Sequence, residues 1–159
     1  MYPGEIARRA PDRPAVVMGG TGETITFREL DERSSSLAQL FRARGLERGA
    51  TIAILLENNS RFLEVAWAAQ RSGLYYTAIN WHLTTEEAAY IVRDCGATAL
   101  VSSQRLAPLA TTLTAEVVPD VGHRLMVDGV DGGWEPYEGV LAGQPTAPSG
   151  PRAGAARGR

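Results

Sequence analysis

The chain has 159 residues, 44% apolar and 21% charged, with a formal net charge of −2. That length suits one folded domain, and so balanced a charge gives no reason to expect nucleic acid or an anionic membrane as partner. A single cysteine, Cys95, excludes an internal disulfide and a thiolate metal cluster, and no apolar run reaches a membrane span of about 18 residues or more, so a cytoplasmic protein is expected.

All 16 basic residues are arginine. A phosphate-loop lysine, a Schiff-base lysine and a lysine general base are therefore ruled out within this sequence.

Residues 1–14 read as an irregular opening arm, because Pro3, Pro11 and Pro14 oppose regular structure. Residues 15–18 and 24–26 read as a hairpin around a glycine-rich turn at 19–23. Gly20 and Gly22 invite a nucleotide-loop reading. A dinucleotide fingerprint, however, needs Gly-x-Gly-x-x-Gly between a strand and a helix, and here a second strand follows.

Thr26 and Glu29 have the spacing of a capping box, in which hydroxyl and carboxylate satisfy the free N–H groups of a helix start. Leu30, Leu37, Ala38 and Phe41 follow at helical spacing, and Gly45 ends that helix. Residues 51–56 are continuously apolar and predict an inner strand. The run Asn58-Asn59-Ser60 supplies an N-cap for a helix over 61–72 that buries Phe62, Val65, Ala66 and Ala69, with Trp67 as a packing residue. Gly73 can close it in the left-handed conformation. Residues 74–79, β-branched and aromatic, then predict a strand covered on both faces, with Asn80 as its polar exit.

Thr84 and Glu87 form a second capping box, followed by Ala88, Ile91 and Val92 as the buried stripe of a helix that stops at Gly96. Cys95, beside that stop, reads as a small buried hydrophobe. Residues 98–102 predict another inner strand, and Ser103 a cap for a short helical stretch limited by Pro108. His123 reads as a loop residue, 124–127 as a strand, 128–133 as a loop and 138–141 as a short helix. The alternation predicts an α/β fold: an open, mostly parallel sheet with helices on both faces. From Pro145 to Arg159 only Pro, Thr, Ala, Ser, Gly and Arg occur, so the expected division is a folded part at 1–144 and a disordered tail at 145–159.

Three pieces carry a family resemblance. Arg71-Ser72-Gly73 with Tyr76, Ile79 and Asn80 is similar to the helix-to-strand signature of adenylate-forming enzymes, with Ala78 where many relatives have proline. Ile25-Thr26-Phe27-Arg28-Glu29-Leu30 resembles an earlier signature, and Leu83-Thr84 with Glu86-Glu87 through Ile91 a later one. In this order, over roughly residues 1–140, they resemble the N-terminal portion of adenylate-forming (AMP-binding) enzymes, most of all the fatty-acid-type acyl-CoA synthetases.

The resemblance implies ATP-dependent activation of a fatty or other carboxylic acid to acyl-AMP, then thioester formation with CoA. ATP, Mg and CoA are the cofactors implied for an intact enzyme. The phosphate-cradling loop, the ribose-binding aspartate, the Mg-binding glutamate and the lysine of a small C-terminal domain all belong downstream of the matched region. No catalytic residue and no metal ligand is therefore assigned here. His82 matches the basic residue of an Asn-x-Arg-Leu segment near the CoA nucleotide, and is the one CoA-binding candidate; a plain polar turn residue is its other reading. The expectation is a truncated acyl-CoA synthetase, by frameshift or natural truncation, inactive alone. The alternative is a noncatalytic α/β module that pairs with a separately encoded remainder, its open sheet edge also inviting self-association.

Overall fold

The computed structural model describes residues 3–146. Helix α1, Pro3–Arg9, leads to a hairpin of β1, Pro14–Val17, and β2, Thr24–Thr26, which pair antiparallel. Then come α2, Phe27–Ala43, β3, Thr51–Leu55, α3, Arg61–Ser72, β4, Tyr75–Ala78, α4, Thr85–Asp94, and β5, Ala97–Ser103. A short 3-10 turn, Gln104–Leu106, precedes α5, Ala107–Ala110, β6, His123–Val127, β7, Glu135–Pro136, and α6, Tyr137–Leu141.

The second sheet runs β4-β3-β5-β6-β7, and each of its pairings is parallel. Its side chains alternate between two cores. Ile52, Ile54, Ala99, Val101, Leu125 and Val127 meet α2, α3 and Tyr137 on one face. Ala53, Leu55, Leu100 and Met126 meet α4, α5 and Trp134 on the other. Burial on both faces explains the unbroken apolar runs 52–55 in β3, 99–101 in β5 and 125–127 in β6. The expected α/β architecture, with helices on both faces, is the one found.

Both capping boxes form as the spacing predicts. Thr26 Oγ1 accepts from the Glu29 N–H at 3.2 Å while the Glu29 carboxylate accepts from the Thr26 N–H at 2.8 Å. Thr84 and Glu87 repeat the exchange at 3.3 and 2.9 Å. Gly73 closes α3 at φ 72°, a left-handed conformation that would strain any residue with a Cβ.

Several local expectations are corrected. Part of the opening arm is regular, since Pro3–Arg9 forms α1, where proline at the first helical position lacks only an N–H that the helix leaves unpaired anyway; residues 10–13 remain irregular. His123 begins β6 rather than lying in a loop. Ser60 and Ser103 make no cap hydrogen bond. Asn59 Oδ1 instead accepts from the Arg61 N–H at 2.8 Å, while the two serine hydroxyls donate to Glu23 and Glu57. Phe62, Trp67, Ile91 and Cys95 are only half-buried.

The largest correction concerns β4. It is an edge strand, with Tyr75 70% and Tyr76 40% exposed, not one covered on both faces. An apolar or aromatic run sets strand propensity but not the order of strands in a sheet. The inner place is taken by β3, which pairs with both β4 and β5. Of the low-complexity stretch, Pro145 and Thr146 are described, and the Pro145 carbonyl accepts from Ser36 Oγ at 3.3 Å. The expected tail disorder otherwise falls on 147–159, outside the described residues.

Candidate functional site at the carboxyl rim of the sheet

Parallel pairing brings the carboxyl ends of the strands to one rim, where open α/β sheets take their ligands. After β3 come Glu57, Asn58, Asn59 and Ser60; after β4 come Asn80, Trp81 and His82; β5 ends in Ser102 and Ser103. Ser103 Oγ donates to the Glu57 carboxylate at 2.6 Å, and Asn59 Nδ2 donates to it at 3.3 Å. Ser102 Oγ donates to the Leu55 carbonyl at 2.8 Å. Glu57 is 8% exposed, so these contacts supply the partners that water would otherwise give its carboxylate.

A groove of about 740 Å³ opens beside Glu57 between the hairpin turn, the loop from Leu56 to Ser60, and the first turn of α3, with Arg105 on its wall. Its polar lining is short of cations: Arg105 is the one cation among the lining residues, and the Glu57 carboxylate is already engaged by Ser103. Such a wall does not fit a magnesium-bound triphosphate, which needs converging cations and N–H donors around its oxygens. Among the described residues, no group of three or more His, Cys, Asp or Glu side chains could hold a metal ion.

His82 lies on the same rim and is exposed. Its backbone N–H donates to Asn80 Oδ1 at 3.0 Å, and its ring packs against Trp81 with centroids 3.6 Å apart. The two acidic residues Glu86 and Glu87 occupy the following first turn of α4.

A second polar knot sits between α2, α3 and α6. Glu64 is fully buried on α3, and its Oε1 accepts from Arg61 at 2.9 Å and from Arg33 at 3.1 Å. Its Oε2 accepts from the Tyr137 hydroxyl at 3.3 Å. Burial pushes the Tyr137 phenol well above its ordinary range, and the neighbouring Glu64 charge adds to the rise. Burial also opposes the Arg61 charge, but the attraction of Glu64 and its hydrogen bond more than reverse this, holding the guanidinium above its usual value. A cavity of about 320 Å³ lies beside the knot, walled by Glu32, Arg33, Ser36, Arg61 and Glu138.

Sequence reasoning passed over Glu57, Glu64 and Tyr137. The signal for Glu64 was present: a carboxylate stands within the stripe Val65, Ala68, Ala69 that faces the core, one helical turn after Arg61. A charge on an apolar face needs a buried partner.

A parallel sheet with helices on both faces and polar side chains gathered at its carboxyl rim defines an open α/β protein. The chain belongs to the AMP-binding enzyme family, whose model matches residues 5–151. It is 35% identical over 121 residues to human long-chain fatty acid transport protein 1, covering 76% of this chain and 18% of that protein. It is 32% identical over 114 residues to feruloyl-CoA synthase of an Amycolatopsis species, covering 72% of this chain and 23% of that one. Among solved structures, the N-terminal domain of FACL13 from Mycobacterium tuberculosis matches at TM-score 0.80 and 20% identity, over 96% of this chain and 37% of that one. The anthranilate CoA ligase AuaEII matches at TM-score 0.79 and 21% identity, over 92% and 29%. The chain thus spans about a fifth of the length of these curated relatives and about a third of these solved chains.

Proposed function

We propose that this chain is the opening part of the N-terminal domain of an acyl-CoA-forming ligase of the fatty-acid type, cytoplasmic and without adenylating activity of its own. The observation that carries the reading is the rim itself: strands of the family fold are in place, while the groove at their carboxyl ends offers Arg105 and a carboxylate already occupied by Ser103. The absence of lysine throughout 159 residues supports it. In the intact enzyme a fatty or other carboxylic acid, ATP, Mg and CoA would meet residues supplied by further polypeptide. Residues 1–144 would be the scaffold, with 145–159 outside it. Assaying pyrophosphate release by this chain with a fatty acid, ATP and Mg²⁺ tests the reading, and none above background is the expected result.

His82 would face the CoA nucleotide in the complete enzyme, from its exposed place on the rim beside Trp81. Titrating this chain with CoA while following the imidazole C–H resonances tests the assignment. Movement of the His82 signals ahead of those of His123 is expected; unmoved His82 signals would remove it.

A second reading rests on a different observation. The β4 edge is open among the described residues and exposes Tyr75 and Tyr76, which register with Thr51 and Ile52 and so stand on opposite faces of the sheet. In this reading the chain is a noncatalytic module whose β4 edge receives a strand, from a separately encoded remainder or from a second copy.

A further inference from the structure

At the amino end of β3 and β4, opposite the rim, Arg42, Arg48 and Arg71 line one pocket of about 460 Å³ together with Leu46, Gln70, Ser72 and Gly73. No carboxylate belongs to its wall, although the whole chain carries a net charge of −2. Arg71 is balanced by Asp31, but the Arg42 and Arg48 guanidinium groups beside the same hollow repel each other unless an anion lies between them.

Each arginine comes from a different setting. Arg42 is in the last turn of α2, where a cation also complements the helix carbonyls. Arg71 is in the last turn of α3 and is fixed by the Asp31 carboxylate at 2.5 Å and by the Ser35 hydroxyl. Arg48 precedes β3, and its stem lies over Gly73, where a Cβ would come within 3.0 Å of the Arg48 Cγ. The Gly49 N–H donates to the Gly73 carbonyl at 2.9 Å and ties the two loops together. Gly73 therefore serves two ends: its left-handed backbone closes α3, and its bare α-carbon seats the arginine. Helix polarity accounts for Arg42 and Arg71 as last-turn cations, but not for Arg48, which belongs to no helix. Among the described residues, neither Arg42 nor Arg48 has a carboxylate partner.

We propose that this pocket binds a phosphate-bearing small molecule carrying at least two negative charges. A carboxylate offers two oxygens, enough for one guanidinium fork; two forks, those of Arg42 and Arg48, suit the several oxygens of a phosphate or diphosphate group. The site is independent of the rim and of whether the chain adenylates anything.

The test is calorimetric titration of the 159-residue chain with pyrophosphate, orthophosphate and octanoate at matched ionic strength. One saturable site for a phosphate ligand and none for octanoate is expected. Arg42→Gln and Arg48→Gln should each weaken it about tenfold, the loss of one charge-assisted contact of about 1.4 kcal/mol. Arg28→Gln removes an equal charge 14 residues before Arg42 on α2, about 21 Å away at 1.5 Å per residue, and should leave binding unchanged. Unaltered binding in Arg42→Gln or Arg48→Gln, equal weakening by Arg28→Gln, or octanoate binding as tightly as phosphate would overturn the assignment. Thermal melts show that the variants compared are folded, and a pyrophosphate-induced shift of the Gly73 amide resonance reads the same site in the unaltered chain.

Discussion

Ser103 Oγ and the Glu57 carboxylate meet at 2.6 Å, joining the carboxyl ends of β5 and β3 across 46 residues of sequence. Both residues are buried, at 1% and 8% exposure, so the bond stands where water cannot replace it. Ser103→Ala should lower stability by about 1–3 kcal/mol, the usual cost of leaving a buried acceptor short of a donor. In a double-mutant cycle by urea denaturation, Ser103→Ala combined with Glu57→Leu should cost less than the two singles added together. Strict additivity would show that the contact carries no coupling.

Glu64 is the member of the interhelical knot that cannot be removed alone. Glu64→Ala should cost about 3–5 kcal/mol, because Arg61 then remains in a mostly buried site without its counter-charge. Arg33, 37% exposed, is screened by water, and Arg33→Ala should cost under about 1 kcal/mol. Equal losses in chemical denaturation would contradict this ranking.

Tyr137 makes the same knot sensitive to alkali. Its phenol is held neutral above the ordinary value of 10.0, chiefly by burial. The neutral form is the one the fold favours, so its contribution is whole below pH 10 and disappears as pH rises through the elevated value. Thermal melts between pH 9 and roughly 12 should show stability falling in the unaltered chain and a flatter profile in Tyr137→Phe, the direction that linkage requires.

The first capping box responds to acid instead. Glu29 is lowered from its ordinary 4.5, first by the Thr26 backbone N–H and then by the Thr26 hydroxyl. Its contribution is present above 4.5 and is lost as pH falls through the depressed value. Thr26→Ala should cost about 1 kcal/mol at neutral pH. It should also shrink the Glu29 share of the acid dependence, which an NMR titration of the Glu29 carboxyl carbon would show as a midpoint moving back up.

The open edge of β4 makes a separate prediction about assembly. Tyr75→Lys with Tyr76→Lys places two charges on an exposed strand and should leave the melting curve nearly unchanged, since both side chains already face water. If the edge receives a second copy, sedimentation should show the unaltered chain associating with rising concentration and the double variant staying monomeric. Equal association in both would place the contact elsewhere.

Elements whose cause is local were legible from the residues alone. The two Thr/Glu boxes, the left-handed stop at Gly73 and the alternating cores of β3, β5 and β6 follow from side-chain spacing over a few positions. Strand order is not such a property. Residues 75–78 have the composition of an inner strand and lie at the edge because β3 takes β5 as its other neighbour. The same limit hid the polar contacts: Ser103 has the form of a helix cap, and only the parallel alignment of β3 and β5 brings Glu57 to it. Arg42, Arg48 and Arg71 likewise lie on three segments that converge only in the folded chain.

We propose that this chain supplies strands of an acyl-CoA-forming ligase without, by itself, the groups that hold the reacting triphosphate. The direct measurement is acid-dependent pyrophosphate release by the purified 159-residue chain with ATP, Mg²⁺ and a series of fatty acids, alongside assay of acyl-AMP by mass. Release no faster than in protein-free buffer, and no acyl-AMP, is the predicted result. Sustained release that requires the fatty acid, with acyl-AMP formed in step, would contradict it.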